Sequence, residues 1–184
     1  VVDRHAYDVE LMLGAELNIL DEQGTVDLTE NTLAQMDLAI ASLHIPCIVP
    51  GSREYNTQAC VNAVKNPRIH ILGHPDDPRY PVDFRAIVQA AKEYGTLLEL
   101  NENSLRPGGS RKNTRPQDEE MLKLCVEYQV PIVIGSDAHT DTDVGRHDLA
   151  HALLEELHFP EELIVNRSVD ALKTVLENKR LQLK

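Results

Sequence analysis

Short apolar runs alternate with amphipathic stretches along the whole chain. The runs Val9–Ala15, Leu38–Leu43, Ile69–Leu72, Thr96–Leu100 and Ile132–Ile134 are strand-length, and none alternates cleanly between polar and apolar residues. Such runs belong to strands buried on both faces. The stretches between them carry legible helix boundaries. Asn56 is expected to cap a helix over Thr57–Lys65 that stops at Asn66-Pro67. Asp83 opens another, with Phe84, Ile87, Val88 and Ala91 on one face, and Gly95 closes it at the C′ position. Pro116 falls in the first turn of a third, where Asp118, Glu119 and Glu120 suit the positive end of the helix dipole. Two more are expected over Asp143–Leu157 and, after Ser168 as N-cap, over Val169–Asn178. Repeated strand-then-helix units imply parallel strands joined by right-handed crossovers. The last two helices have no strand between them and are expected to pack outside those units. No linker, low-complexity tract or helical repeat interrupts the pattern, so residues 1–184 read as a single α/β domain.

Each strand candidate is followed or interrupted by a residue that an apolar run should not contain. These are Glu16, His44, His74, Asn101 and the pair Asp137 and His139, spaced 28, 30, 27 and 36 residues apart up to Asp137. Each interval is one strand–helix unit. Parallel strands point the same way, so these side chains are expected to converge on one face, where α/β folds build their sites. Glu, His and Asp are also the ligand set that zinc, manganese and iron accept. In Asp137-Ala138-His139 the two ligand types stand two residues apart, on the same side of an extended segment. The loop Arg106–Lys112 follows the fourth run on the same face, and its two Arg and one Lys suit an anion such as a phosphate ester. His147 and His151 have helical H-x-x-x-H spacing but lack the adjacent Glu of a metalloprotease motif, so a solvated helix face is expected there. His5, His70 and His158 carry no constellation, and Ser42, Ser52 and Ser136 lack a nucleophile elbow.

Composition narrows the classes. The chain has 184 residues, with 18 Lys+Arg against 30 Asp+Glu, a net charge of −12. That balance argues against binding a phosphate backbone, so no nucleic acid is expected, while it is compatible with cations. The 3 cysteines, Cys47, Cys60 and Cys125, form neither a disulfide framework nor a thiolate zinc site, and each is expected to be a buried small hydrophobe in a cytoplasmic protein. No apolar run is long enough for a membrane span. The chain opens Val1-Val2-Asp3-Arg4-His5, without a start Met or a signal-like stretch, which points to a fragment or processed product.

Gly14-Ala15-Glu16-Leu17-Asn18, Leu43-His44, Gly73-His74-Pro75 with Pro78, and Gly135-Ser136-Asp137-Ala138-His139-Thr140 resemble the PHP (polymerase and histidinol phosphatase) domain. Asn56–Ala59, Ser110–Lys112 and Val165–Leu172 resemble its YcdX-like bacterial phosphatase branch. The resemblance implies a distorted seven-stranded TIM-like β/α barrel with up to three zinc, manganese or iron ions, which hydrolyses a small phosphate monoester by metal-activated water. It makes Glu16 a carboxylate bridging two ions, His44 and His74 ligands of one of them, Asp137 a ligand of a second and His139 of the third. Glu16 and Asp137 would then act in catalysis, with Arg106 or Arg111 clamping phosphoryl oxygens. The family also opens with a His-x-His strand and two further histidines that have no counterpart here, so the first two strand–helix units are expected to be missing from this chain. An incomplete domain with an exposed sheet edge would pair with a partner, a second copy included. The alternative is a non-catalytic metal-binding or interaction module that needs an N-terminal segment or a partner chain.

Overall fold

A computed structural model describes Arg4 and residues 9–182; His5 lies outside the described residues. Five strands, β1 (Gly14–Asn18), β2 (Leu38–Ser42), β3 (Ile71–Leu72), β4 (Leu97–Asn101) and β5 (Ile132–Gly135), form one parallel sheet in the order β1-β2-β3-β4-β5. Because every strand neighbours the next in sequence, the crossovers all advance in one direction. That is the winding of a β/α barrel wall, and a doubly wound sheet would reverse its order at a switch point. The helices are α1 (Glu30–Leu33), α2 (Arg53–Lys65), α3 (Phe84–Tyr94), α4 (Glu102–Leu105), α5 (Arg115–Tyr128), α6 (Asp148–Glu156) and α7 (Val169–Leu181).

Both sheet faces are covered, as the lack of alternation predicts. On one face Leu17, Ala39, Ala41, Leu72, Leu98, Leu100, Ile132 and Ile134 join the main core with residues of α2, α3, α5 and α6. On the other, Ile71, Leu97 and Val133 cluster with Val165 and with Leu172 and Val175 of α7. The last helix is therefore part of the sheet's cover and not a peripheral addition. Glu16 stands level with Ile40, Ile71 and Leu97 on this second face, and Glu99 with Val133, so polar side chains continue the same face toward the strands' C-terminal ends.

Local signals set several boundaries. Asp83 caps α3 by accepting from the N–H of Arg85 and of Ala86, and Gly95 ends it with φ 63°. Pro116 sits in the first turn of α5, and Ser168 caps α7. Four expectations shift. The first strand runs over Gly14–Asn18 and not Val9–Ala15, because its limits follow its pairing with β2. The second helix starts at Arg53 with Ser52 as its cap; Asn56 is buried inside it, bridging Gly51 and the Pro81 carbonyl. The segment expected to begin a helix at Asp143 first makes a 3-10 turn over Asp141–Asp143, and Gly145 takes φ 74°. Helix α6 begins only at Asp148, where the buried Glu102 carboxylate accepts from the N–H groups of Leu149 and Ala150. Cys60 and Cys125 are buried as expected, but Cys47 is exposed. Among the described residues, no helix is long and apolar enough to cross a membrane.

Candidate metal centre

Glu16 and Asn18 lie two apart on β1 and therefore face the same side. His44 follows the end of β2 by two residues, and His74 follows the end of β3 by two. Glu16 Oε1 lies 3.0 Å from His74 Nε2 and 3.4 Å from His44 Nε2, and the two imidazole nitrogens are 3.2 Å apart. Donors that share one ion at about 2.0–2.2 Å are roughly 2.8–3.6 Å from each other at octahedral or tetrahedral angles, so this triad fits a divalent metal. Among the described residues it is the one cluster of three or more His, Cys, Asp or Glu with ligand atoms this close together.

Second contacts aim each ligand. His44 Nδ1 is 2.8 Å from Asn18 Oδ1, so with Nδ1 as the donor the Nε2 lone pair faces the centre. Asn18 is itself held by Asp27, which accepts from its side-chain amide and from its backbone N–H. The Ser42 hydroxyl donates to Glu16 Oε1 at 2.8 Å. His74 has φ 27°, in the left-handed region that a β-carbon disfavours, and the Glu99 carboxylate pins it by accepting its backbone N–H at 2.8 Å. In their protonated forms His44, then His74, donate hydrogen bonds that hold the Glu16 carboxyl well below the usual carboxylate range. Burial is the largest influence on the His74 imidazole and pulls its pKa down, but the hydrogen bond to Glu16 and the charges of Glu99 and Glu16 together outweigh it, and the net shift is upward.

Glu99 is nearly fully buried inside β4, and its pKa is raised by burial. Gly135 makes its place, since a β-carbon there would lie 2.0 Å from Glu99 Oε1, while one on Gly73 would lie 2.3 Å from Ser42 Oγ, the hydroxyl that donates to Glu16. A hydrogen-bonded chain then crosses the strand ends. Asn101 donates to Glu99 at 3.2 Å, Arg111 Nη2 donates to Asn101 Oδ1 at 3.2 Å, and the same nitrogen donates to Asp137 Oδ2 at 2.6 Å. Asp137 thus stands at the same rim as the triad but outside it. Exposed His139 contacts the backbone oxygen of Asp137 through Nδ1 at 2.9 Å. Asn101 also caps α4 by accepting from the Ser104 N–H. Arg106 is paired with Asp143 at 2.9 Å. The His147 and His151 rings lie 6.2 Å apart, with His151 exposed.

Three residues that build the site were not singled out as functional by the sequence. Asn18 and Ser42 stand inside motifs already noted, at the same-face and last-strand positions, and that placement is the signal for them. Glu99 is an acid within an otherwise apolar run, Leu97-Leu98-Glu99-Leu100, and that alone marks it. Nearby, both carboxylate oxygens of buried Asp76 and Asp118 have no hydrogen-bond partner. Burial raises both pKa values, and the neighbouring Asp76 raises that of Asp118 further.

No family model matches the chain. A search of curated proteins gives a probable phosphatase of Caldanaerobacter subterraneus subsp. tengcongensis, 43% identical over 98% of this chain and 70% of that protein. A probable phosphatase of Clostridium novyi is 38% identical over 97% and 72%, and one of Caldicellulosiruptor saccharolyticus 44% identical over 92% and 70%. Among solved structures, a chain in the cryo-EM structure of archaeal ribonuclease P with mature tRNA superposes with a TM-score of 0.63, covering 97% of this chain and 73% of that one. At 17% identity that likeness concerns the fold alone. The sequence relatives carry the assignment: this chain belongs to the family of proteins named probable phosphatases.

Proposed function

We propose that this chain is most of a PHP-type, YcdX-like phosphatase domain, a distorted seven-stranded β/α barrel without its first two strand–helix units, acting on a small phosphate monoester. The observation that carries this is the approach of the Glu16, His44 and His74 donor atoms to within 3.0–3.4 Å in a chain whose relatives are named phosphatases. Glu16, His44 and His74 would hold a zinc, manganese or iron ion, which would lower the pKa of a water toward ~7 and offset charge on a phosphoryl group. The chain's own residues supply the rest. Ser42 and His74 hold one oxygen of Glu16, whose side chain is 41% exposed and so open to a second ion or a substrate. Asn18 fixes His44 in the tautomer that a ligand needs. Asp137 and His139, at the β5 end of the same rim, are the ligands for further ions.

A second reading is favoured by one observation. Among the described residues β1 pairs only with β2, which leaves its other edge open beside Glu16. Under that reading the chain holds metal but turns over substrate only once an N-terminal segment or a partner chain, a second copy included, covers that edge. Elemental analysis, with p-nitrophenyl phosphate turnover in added Mn2+, separates the two. The expected outcome is stoichiometric metal and turnover, both lost in Glu16→Ala. Metal without turnover selects the second reading, and a chain that takes up no zinc or manganese refutes both.

A further inference from the structure

Arg111 is, with Arg106, a clamp candidate for phosphoryl oxygens by its place in the sequence, yet its guanidinium is already engaged. Nε donates to Ser104 Oγ at 2.7 Å, and Nη2 donates to Asn101 Oδ1 at 3.2 Å and to Asp137 Oδ2 at 2.6 Å. The Arg111 side chain is only 10% exposed. Asn103 Nδ2 donates to the same Asp137 oxygen at 3.3 Å. Asp137 itself has φ 48°, a left-handed backbone that surrounding contacts must hold. Among the described residues its other oxygen, Oδ1, has no comparable partner, and His139 Nδ1 is 3.7 Å from it. The pattern repeats that of His44, where one side-chain atom is tied down and the other faces the rim.

We propose that Arg111, together with Asn103, is a positioning residue: it holds Asp137 Oδ2 so that Oδ1 is presented as a cation ligand, and it does not clamp substrate. This rests on the metal-centre reading for what Oδ1 binds, but the positioning itself does not. A ligand whose far atom is hydrogen-bonded typically loses about 10–100-fold in metal affinity when that support is removed. The Arg111 charge also partly offsets the burial of Asp76 and Asp118, so its replacement risks the fold. Asn103, half-buried on α4, offers a milder variant.

The test uses calorimetric Mn2+ titration of the whole chain as wild type, Arg111→Gln, Asn103→Leu, Asp137→Asn and the Arg111→Gln/Asp137→Asn double variant. The expected result is two classes of Mn2+ in the wild type. Arg111→Gln weakens the looser one about 10–100-fold and leaves the tighter one, at Glu16, His44 and His74, within about twofold. Asn103→Leu gives a smaller loss of the same kind, and the double variant matches Asp137→Asn alone, since residues acting through one contact are not additive. Additive losses overturn the proposal. So does an Arg111→Gln chain with wild-type Mn2+ binding and lost affinity for inorganic phosphate, because that is a clamp. Amide hydrogen exchange over residues 136–140 needs no metal. It is expected to quicken about tenfold or more in both variants, as a loosened turn requires. Unchanged exchange there sinks the positioning role even if a metal binds, whereas quickened exchange in a chain that binds no Mn2+ leaves positioning standing and removes the metal-centre reading.

Discussion

An imidazole is a metal ligand through whichever nitrogen lacks a proton, so the value of His44 depends on Asn18. With Nδ1 donating to Asn18 Oδ1 at 2.8 Å, Nε2 is left bare toward Glu16 and His74. Asn18→Leu keeps the side-chain shape but removes the acceptor. Its expected effect is a roughly tenfold or greater loss of Zn2+ affinity with little change in stability, read by competition with a chromophoric chelator. An unchanged affinity would remove Asn18 from the site. A second histidine shows the opposite use of the ring. His70 Nδ1 accepts from the Ala39 backbone N–H at 3.1 Å, which requires the neutral form, and burial, then the charges of Arg180 and Lys179, pushes its pKa down to about 4. An unfolded histidine titrates near 6.5. Between those values the unfolded chain takes up a proton that the folded chain refuses. Stability from this group is therefore complete above pH 6.5 and is lost as pH falls toward 4, by about 3 kcal/mol over the window. Urea denaturation at pH 7 and pH 4.5 should show the wild type losing more than His70→Asn by an amount of this order; equal acid losses would refute the assignment.

Elements whose boundaries depend on neighbours in sequence were legible, and those fixed from across the fold were not. Asp83, Gly95, Pro116 and Ser168 act within one turn of their own helices, and each sits where its chemistry predicts. The start of α6 could not be read because its cap, Glu102, comes from another element. Asn101 looked like one of a series of strand-end ligands, but its oxygen caps the four-residue helix α4, too short to leave a periodic signal. Glu16, His44 and His74 were legible because polar residues at strand ends break an apolar pattern. The place of Glu99 was not, since the room it occupies is made by Gly135 on the neighbouring strand β5. The last helix illustrates the same limit. Lys179 reads as a surface lysine, yet its buried ammonium donates to Val64 O at 3.0 Å, Tyr94 O at 2.8 Å and Thr96 Oγ1 at 2.7 Å. Val64 and Tyr94 lie in the last turns of α2 and α3, so one cation serves two helix C-termini. Lys179→Met removes three charge-assisted bonds but leaves Val64 O with the Thr96 hydroxyl and Tyr94 O with the Gln182 amide, so the cost is about 2 kcal/mol, a fall of roughly 6 °C in melting temperature for a chain of this size. Calorimetry giving a fall below about 2 °C would mean that the apolar packing of α7, with Leu172, Val175 and Leu176, holds it without the lysine.

For the whole molecule the triad is a cross-link in waiting. Its three donors come from β1, from the segment after β2 and from the segment after β3, so an ion held by all of them adds a tie across three neighbouring strand ends to their backbone ladders and side-chain contacts. The shortest of those ladders is at β3, which is two residues long. An ion bound only by the folded chain stabilises it by about 2.7 kcal/mol at a hundred times its dissociation constant. For a domain of this length that raises the melting temperature by roughly 5–10 °C. The net charge of −12 complicates the measurement, because any divalent cation also binds weakly across so acidic a surface and relieves its self-repulsion. Salt separates the two effects. Diffuse attraction to exposed carboxylates is screened within about 10 Å at 0.1 M ionic strength, whereas inner-sphere ligation by two imidazoles and a carboxylate is not. Zn2+ or Mn2+ at 0.3 M NaCl is therefore expected to keep most of the rise, Mg2+ to give little of it, and Glu16→Ala or excess EDTA to abolish it. A rise that disappears with salt, or that survives Glu16→Ala, would locate the stabilisation on the acidic surface and leave the strand ends without a resident ion.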